Sequence, residues 1–163
     1  MLNSAKTIYK GDVLASWFYL GTGIFMLCVS ALLQHFQISL GFLYLAFGLA
    51  AFAIYCIGKG GFMWRIYQRR YAYYKKIQEV TSGLREEEIR YTKFRIHKKK
   101  QGRRLHVYII ILGSLVSFAG IFSSEKGLVL GTCIPVVLLS GIEFSVGLLT
   151  EFRLWEYLRI LEK

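Results

Sequence analysis

Acidic residues are scarce in this chain, 10 Asp and Glu against 21 Lys and Arg in 163 residues, and proline occurs once. With 55% of the residues apolar, that scarcity excludes a disordered tail, which would lack apolar surface to bury. There are three cysteines, Cys28, Cys56 and Cys133, and no two share a redox or metal-ligand spacing, so a disulfide-stapled domain is excluded as well. Charged residues make up 19% of the chain, below the roughly one quarter typical of soluble domains, and the mean hydropathy is positive. The balance predicts a membrane protein.

Its excess charge is concentrated. Residues 59–104 hold 15 Lys and Arg against four acids, which accounts for the whole formal charge of +11. Around this segment lie four apolar windows, near residues 13–33, 39–58, 105–123 and 127–150. Each matches the roughly 20 helical residues that cross a hydrocarbon core about 30 Å thick. The first, preceded by Lys6 and Lys10 and ending near Val29-Ser30-Ala31, has some features of a signal peptide, but its length favours a retained span.

Lys and Arg in short loops stay on the cytoplasmic side. The loops at 34–38 and 124–126 carry only Lys126 between them, whereas the middle segment and both termini are basic. The expectation is an all-α integral membrane protein of the bacterial inner membrane, with both termini cytoplasmic. Residues 1–58 form a first transmembrane hairpin with a short cytoplasmic N-terminus. Residues 59–104 form a basic cytoplasmic helical hairpin between spans 2 and 3, and 105–163 form a second transmembrane hairpin with a short amphipathic tail. A shift of about 90 residues lays Gly23 on Gly113, Gly41 on Gly131 and, one residue further, Trp64 on Trp155, the pattern of a parallel repeat.

Within the basic segment, Gly58-Lys59-Gly60-Gly61 predicts a hinge, since glycine weakens a helix by about 1 kcal/mol relative to alanine. Ile66, Tyr73, Ile77, Val80 and Leu84 recur as a coiled-coil-like seam. Thr81-Ser82-Gly83 breaks it, and Glu86, Glu87 and Glu88 suit the positive end of a following helix. That helix carries Ile89, Phe94 and Ile96 in a poorer seam, and Gly102 is a candidate loose joint before the third span. Lys98, Lys99, Lys100, Arg103 and Arg104 stand where anionic lipid headgroups favour cations. Trp64, Arg65, Arg69, Arg70, Lys75 and Lys76 form an aromatic and basic face suited to a partner protein or anionic ligand. No nucleic-acid-binding module accompanies it, which argues against nucleic acid.

Glu143 is the one ionisable residue well inside a span, where a carboxylate costs several kcal/mol unless paired, hydrated or protonated. It is the candidate ion or proton site, with Tyr19, Thr22 and Tyr55 at comparable depth and His106 nearer the interface. Gly113, Ser117, Gly127, Gly131, Gly141 and Ser145 form small-residue pairs at four-residue spacing, as helix packing in membranes requires. No catalytic constellation, metal site or cofactor motif is recognisable.

These readings point to a non-enzymatic membrane assembly or effector protein, homo-oligomeric or part of a complex, with pore formation as one outcome. The basic hairpin would dock a partner or anionic ligand. The alternatives are a small proton- or ion-coupled transporter or channel using Glu143, and an insertase-like protein, although no basic or amide residue within a span provides the hydrophilic groove an insertase needs. In outline only, without a shared motif, the chain resembles the paired-span effectors of bacterial conflict systems.

Overall fold

A computed structural model describes residues 2–36, 39–77 and 82–162. All four of its elements are helices: α1 (Leu2–Phe36), α2 (Leu40–Lys76), α3 (Ser82–Gly120) and α4 (Lys126–Glu162). Among the described residues there is no strand. Each helix is long and apolar enough to cross a membrane. At 1.5 Å per residue, 37 residues of α2 extend about 55 Å, so roughly 25 Å of it projects beyond a 30 Å hydrocarbon core.

The polar lengths all fall at one end of the bundle. They are the start of α1, the end of α2, the start of α3 and the end of α4. Among the described residues the basic segment is helical up to Lys76 and again from Ser82. It is the continuation of α2 and α3, and α1 and α4 continue beside it.

Two expected joints are corrected. The helix runs unbroken through Gly58, Lys59, Gly60 and Gly61, and α3 runs unbroken through Gly102. Gly60 is a contact position: a Cβ there would come within 2.9 Å of the Ser16 carbonyl oxygen and of Leu20, so its missing side chain lets α1 lie close to α2. Backbone hydrogen bonding and packing on α1 outweigh the propensity cost that glycine imposes on an isolated helix.

α1 packs along α2, α3 along α4, and α2 against α4, giving the order α1–α2–α4–α3 across the molecule. Among the described residues, no Cα of α3 comes within 8 Å of α1 or α2. The α2–α4 contact is glycine-lined. A Cβ on Gly41 would touch the Gly127 backbone at 3.1 Å, one on Gly131 would meet the Gly41 carbonyl oxygen at 2.9 Å, and Gly48 lies against Pro135. α4 continues through Pro135, the proline ring filling the space that Gly48 leaves. Gly113 faces Val137 across α3–α4, and the Ser117 hydroxyl donates back to the Gly113 carbonyl at 2.8 Å. The Ser145 hydroxyl likewise donates to the Gly141 carbonyl, at 2.9 Å, but the interhelical contact is missing: nothing lies within 4 Å of a Cβ at Gly141, and Ser145 is exposed.

In the apolar lengths, large side chains such as Phe25, Leu115 and Leu149 face outward, as lipid-facing residues do. A core of Tyr19, Leu49, Phe52 and Cys56 fills the middle. At the polar end the core is aromatic, with Tyr9, Tyr74 and Tyr157 beside Ala5, Ile8 and Leu161. One position of the expected seam is corrected: Tyr73 is 54% exposed, and its neighbour Tyr74, 3% exposed, takes the core place. Ile77, Leu84 and Ile89 do pack against this core, whereas Phe94 faces outward and Ile96 joins Leu154 and Leu158. Val80, Thr81, the Ser82 side chain, Gln37, Ile38 and Lys163 lie outside the described residues.

Candidate functional site

Three polar layers cross the basic end of the bundle. The outermost centres on Glu88, which is 2% exposed. Tyr9 donates to its Oε1 at 2.5 Å, Tyr74 to its Oε2 at 2.6 Å and Tyr157 to Oε1 at 3.3 Å. Arg70 completes the group, 3.6 Å from Glu88, donating to the Tyr9 hydroxyl at 3.3 Å and stacked 3.6 Å over the Tyr91 ring. Burial pushes the phenols of Tyr9, Tyr74 and Tyr157 well above their ordinary value, and the Glu88 carboxylate pushes them further. All four helices contribute to this layer. A buried carboxylate with three hydroxyl donors and a guanidinium is fully satisfied, so its role is to tie the helices together.

The second layer is an ion pair between Asp12 of α1 and Arg95 of α3, at 2.7 Å, with both groups buried. The Arg95 guanidinium also lies 4.9 Å from the Tyr67 ring centre, a cation–π contact. Burial lowers the pKa of Arg95, but the neighbouring Asp12 outweighs it, and the net shift is upward.

The third layer, at the margin of the apolar lengths, holds the predicted ion or proton site. Glu143, 5% exposed, is ion-paired with Lys59 of α2. Lys59 also reaches the hydroxyls of Tyr19 and Tyr55 at 3.3 and 3.4 Å. Tyr19, Tyr55 and Glu143 are thus brought together, with Lys59 as the group that joins them. Thr22 is half-buried and does not line the adjoining cavity, while His106 does.

That cavity, about 320 Å³, lies between α2, α3 and α4. Tyr55 and Lys59 line it from α2, Lys98, Lys99, Arg103 and His106 from α3, and Glu143 from α4. Lys59 is paired with Glu143, and Arg103 stands 3.0 Å from Glu151. Among the described residues, Lys98 and Lys99 have no carboxylate partner. Burial, reinforced by the nearby Lys59 charge, lowers the pKa of the Lys99 ammonium. Two further polar atoms are buried without a partner here, Glu143 Oε1 and His106 Nδ1. The wall is cationic in excess, with one carboxylate oxygen free to accept a hydrogen bond.

The remaining sequence-derived sites separate. Arg65, Arg69, Lys75 and Lys76 are exposed on α2, whereas Arg70 of the same face turns inward to Glu88. Trp64 is exposed and meets Trp17 edge-on at 6.5 Å. Lys100 and Arg104 line a separate depression with His97 and Gln101. Among the described residues, no three His, Cys, Asp or Glu side chains are grouped to hold a metal ion.

Lys59, Asp12, Glu88 and Arg95 were not singled out as site residues from the sequence. A signal was present: Glu88, Thr92, Arg95, Lys99 and His106 recur at spacings of four, three, four and seven, a polar stripe on one face of α3. Apolar periodicity passes over such a stripe, and that is why the second helix of the basic segment showed a poor seam.

The chain matches no family model, no curated protein and no solved structure.

Proposed function

We propose that this is a non-enzymatic integral membrane protein of assembly or effector type. Its two transmembrane hairpins would sit with both termini and the basic end in the cytoplasm of a bacterial cell, and the basic end would dock an anionic ligand or partner. The observation that carries this reading is the cavity between α2 and α3, where Lys98 and Lys99 stand without carboxylate partners beside the Lys59–Glu143 pair. Lys99 is half-buried and Lys98 exposed beside it, and an unpaired cation held in a recess at a membrane margin attracts anions more strongly than a fully solvated surface lysine does. The docking function moves accordingly from the outer face of α2, from which Arg70 is withdrawn, to this recess.

The test is a photo-crosslinking residue at Phe62, which lines the cavity, followed by identification of whatever is captured in native membranes. An adduct that disappears when Lys98 and Lys99 are both glutamine supports the reading. A chain that captures nothing overturns it.

A second reading is proton or ion coupling through Glu143, favoured by its unpartnered Oε1 and by His106 Nδ1. Under it, Glu143→Gln abolishes pH-dependent flux into proteoliposomes. Flux unchanged by that substitution removes the one carboxylate on which the reading depends.

A further inference from the structure

The cavity is continuous with an unusual feature of α3. From Leu105 to Ala119 not one residue of this helix is buried, and within 8 Å its backbone approaches only α4. Through the apolar lengths of the described residues no Cα of α2 lies within 8 Å of α3, and His106, near the start of this stretch, lines the cationic recess. Leu105, Ile109, Leu112 and Val116 follow Lys98 along α3 at spacings of seven, four, three and four, an apolar stripe on the Lys98 side of the helix in which Leu105, Leu112 and Val116 are exposed and Ile109 is half-buried. A cationic pocket at the margin of the apolar zone, with bare apolar helix below it, matches an amphiphile that carries a phosphate at its head.

We infer that the recess bounded by Lys59, Lys98, Lys99, Arg103, His106 and Glu143 is a site for a single anionic phospholipid that enters sideways between α2 and α3. The phosphate pairs with Lys98 and Lys99, whose ammonium groups have no carboxylate partner among the described residues. A donor on the headgroup, such as a glycerol hydroxyl, satisfies Glu143 Oε1. The acyl chains lie along α3. This site rests on the docking reading above and gives its ligand a chemical class. It differs from general attraction of a basic surface to lipid, because Lys100 and Arg104 take no part in it.

The experiment is native mass spectrometry of the full chain released from nanodiscs of phosphatidylcholine with a minor fraction of phosphatidylglycerol. One phosphatidylglycerol should remain bound. Lys98→Gln with Lys99→Gln should lower its retention by about tenfold or more, and the double arginine variant should restore it. Lys100→Gln with Arg104→Gln should leave retention unchanged. Equal losses in both glutamine pairs would overturn the site in favour of surface attraction. Displacement of the bound species by millimolar inorganic phosphate or glycerol phosphate would assign the same phosphate chemistry to a soluble source and overturn the lipid. In that case the crosslink from Phe62 would still appear, so loss of the lipid and loss of the docking reading are told apart.

Discussion

Glu88 illustrates how much a single position can depend on its neighbours. In the sequence it is the third of three consecutive glutamates at a helix start, and nothing in the run distinguishes it. In the structure Glu86 and Glu87 are exposed, while Glu88 receives three tyrosine hydroxyls and Arg70. Removing one partner of a buried charged group leaves the others uncompensated, a loss of about 3–5 kcal/mol. Glu88→Ala should therefore lower the unfolding free energy of the detergent-solubilised protein by that amount. Glu87→Ala, one residue away, should change it by no more than about 0.5 kcal/mol. Equal effects of the two, in a denaturant or thermal melt, would mean that the layer contributes no stability. Glu143 was legible from the sequence because a lone carboxylate in an apolar run stands out. Lys59 was not, since its position just past the apolar window made it look like topology charge.

The helices show where local propensity yields to packing. Glycines 58, 60 and 61 do not interrupt α2, and a helix whose hydrogen bonds are all internal loses more in a membrane by breaking than by tolerating them. At Gly41, Gly60 and Gly131 the glycine has a steric cause, the backbone or side chain of a neighbouring helix about 3 Å from where a Cβ would stand. Gly131→Leu should thus force α4 away from α2 and destabilise the bundle by roughly 1–3 kcal/mol. Gly141→Leu, at a position with nothing within 4 Å, should leave the melting of the single chain unchanged. If the Gly141 variant instead lost stability together with a drop in oligomer mass, that face would pack against another protomer. The correspondence of Gly41 with Gly131 under a shift of about 90 residues gains interest here, because the two positions meet at the α2–α4 contact.

Taken as one object, the molecule has an apolar length with its large side chains outside and a basic length that buries Asp12, Glu88, Glu143 and Glu151. The excess of 11 positive charges within residues 59–104 is partly offset by acids from elsewhere in the chain: Asp12, Glu143, Glu151 and Glu162 pair with Arg95, Lys59, Arg103 and Lys93 of the basic segment. This arrangement has a pH signature. The phenols of Tyr9, Tyr74 and Tyr157 lie well above their ordinary value near 10 in the folded protein. Below about pH 10 both folded and unfolded chains keep those protons, so the full contribution to stability is present. Above it the unfolded chain releases protons that the folded chain retains, and stability falls as pH climbs toward the folded values. Melting temperature in detergent should be flat in this respect from pH 7 to about 9.5 and decline beyond about 10. The decline should be shallower when Tyr9 and Tyr74 are both phenylalanine. An identical slope in that variant would exclude the tyrosine layer as its cause.

Membrane character, the number of spans and the gathering of basic residues at one end were all written in composition and run length. These are additive properties of the chain, set by the cost of placing charge and bare backbone in hydrocarbon. Which residues face each other was a different matter. A helix of 37 residues turned by one position exchanges Tyr73 for Tyr74. Whether Glu88, Arg95 and Lys99 point to water or to three other helices depends on contacts between residues as far as 83 positions apart. Such long-range pairing is a property of the assembled bundle, and from it come the tied polar end and the cationic recess beside Glu143.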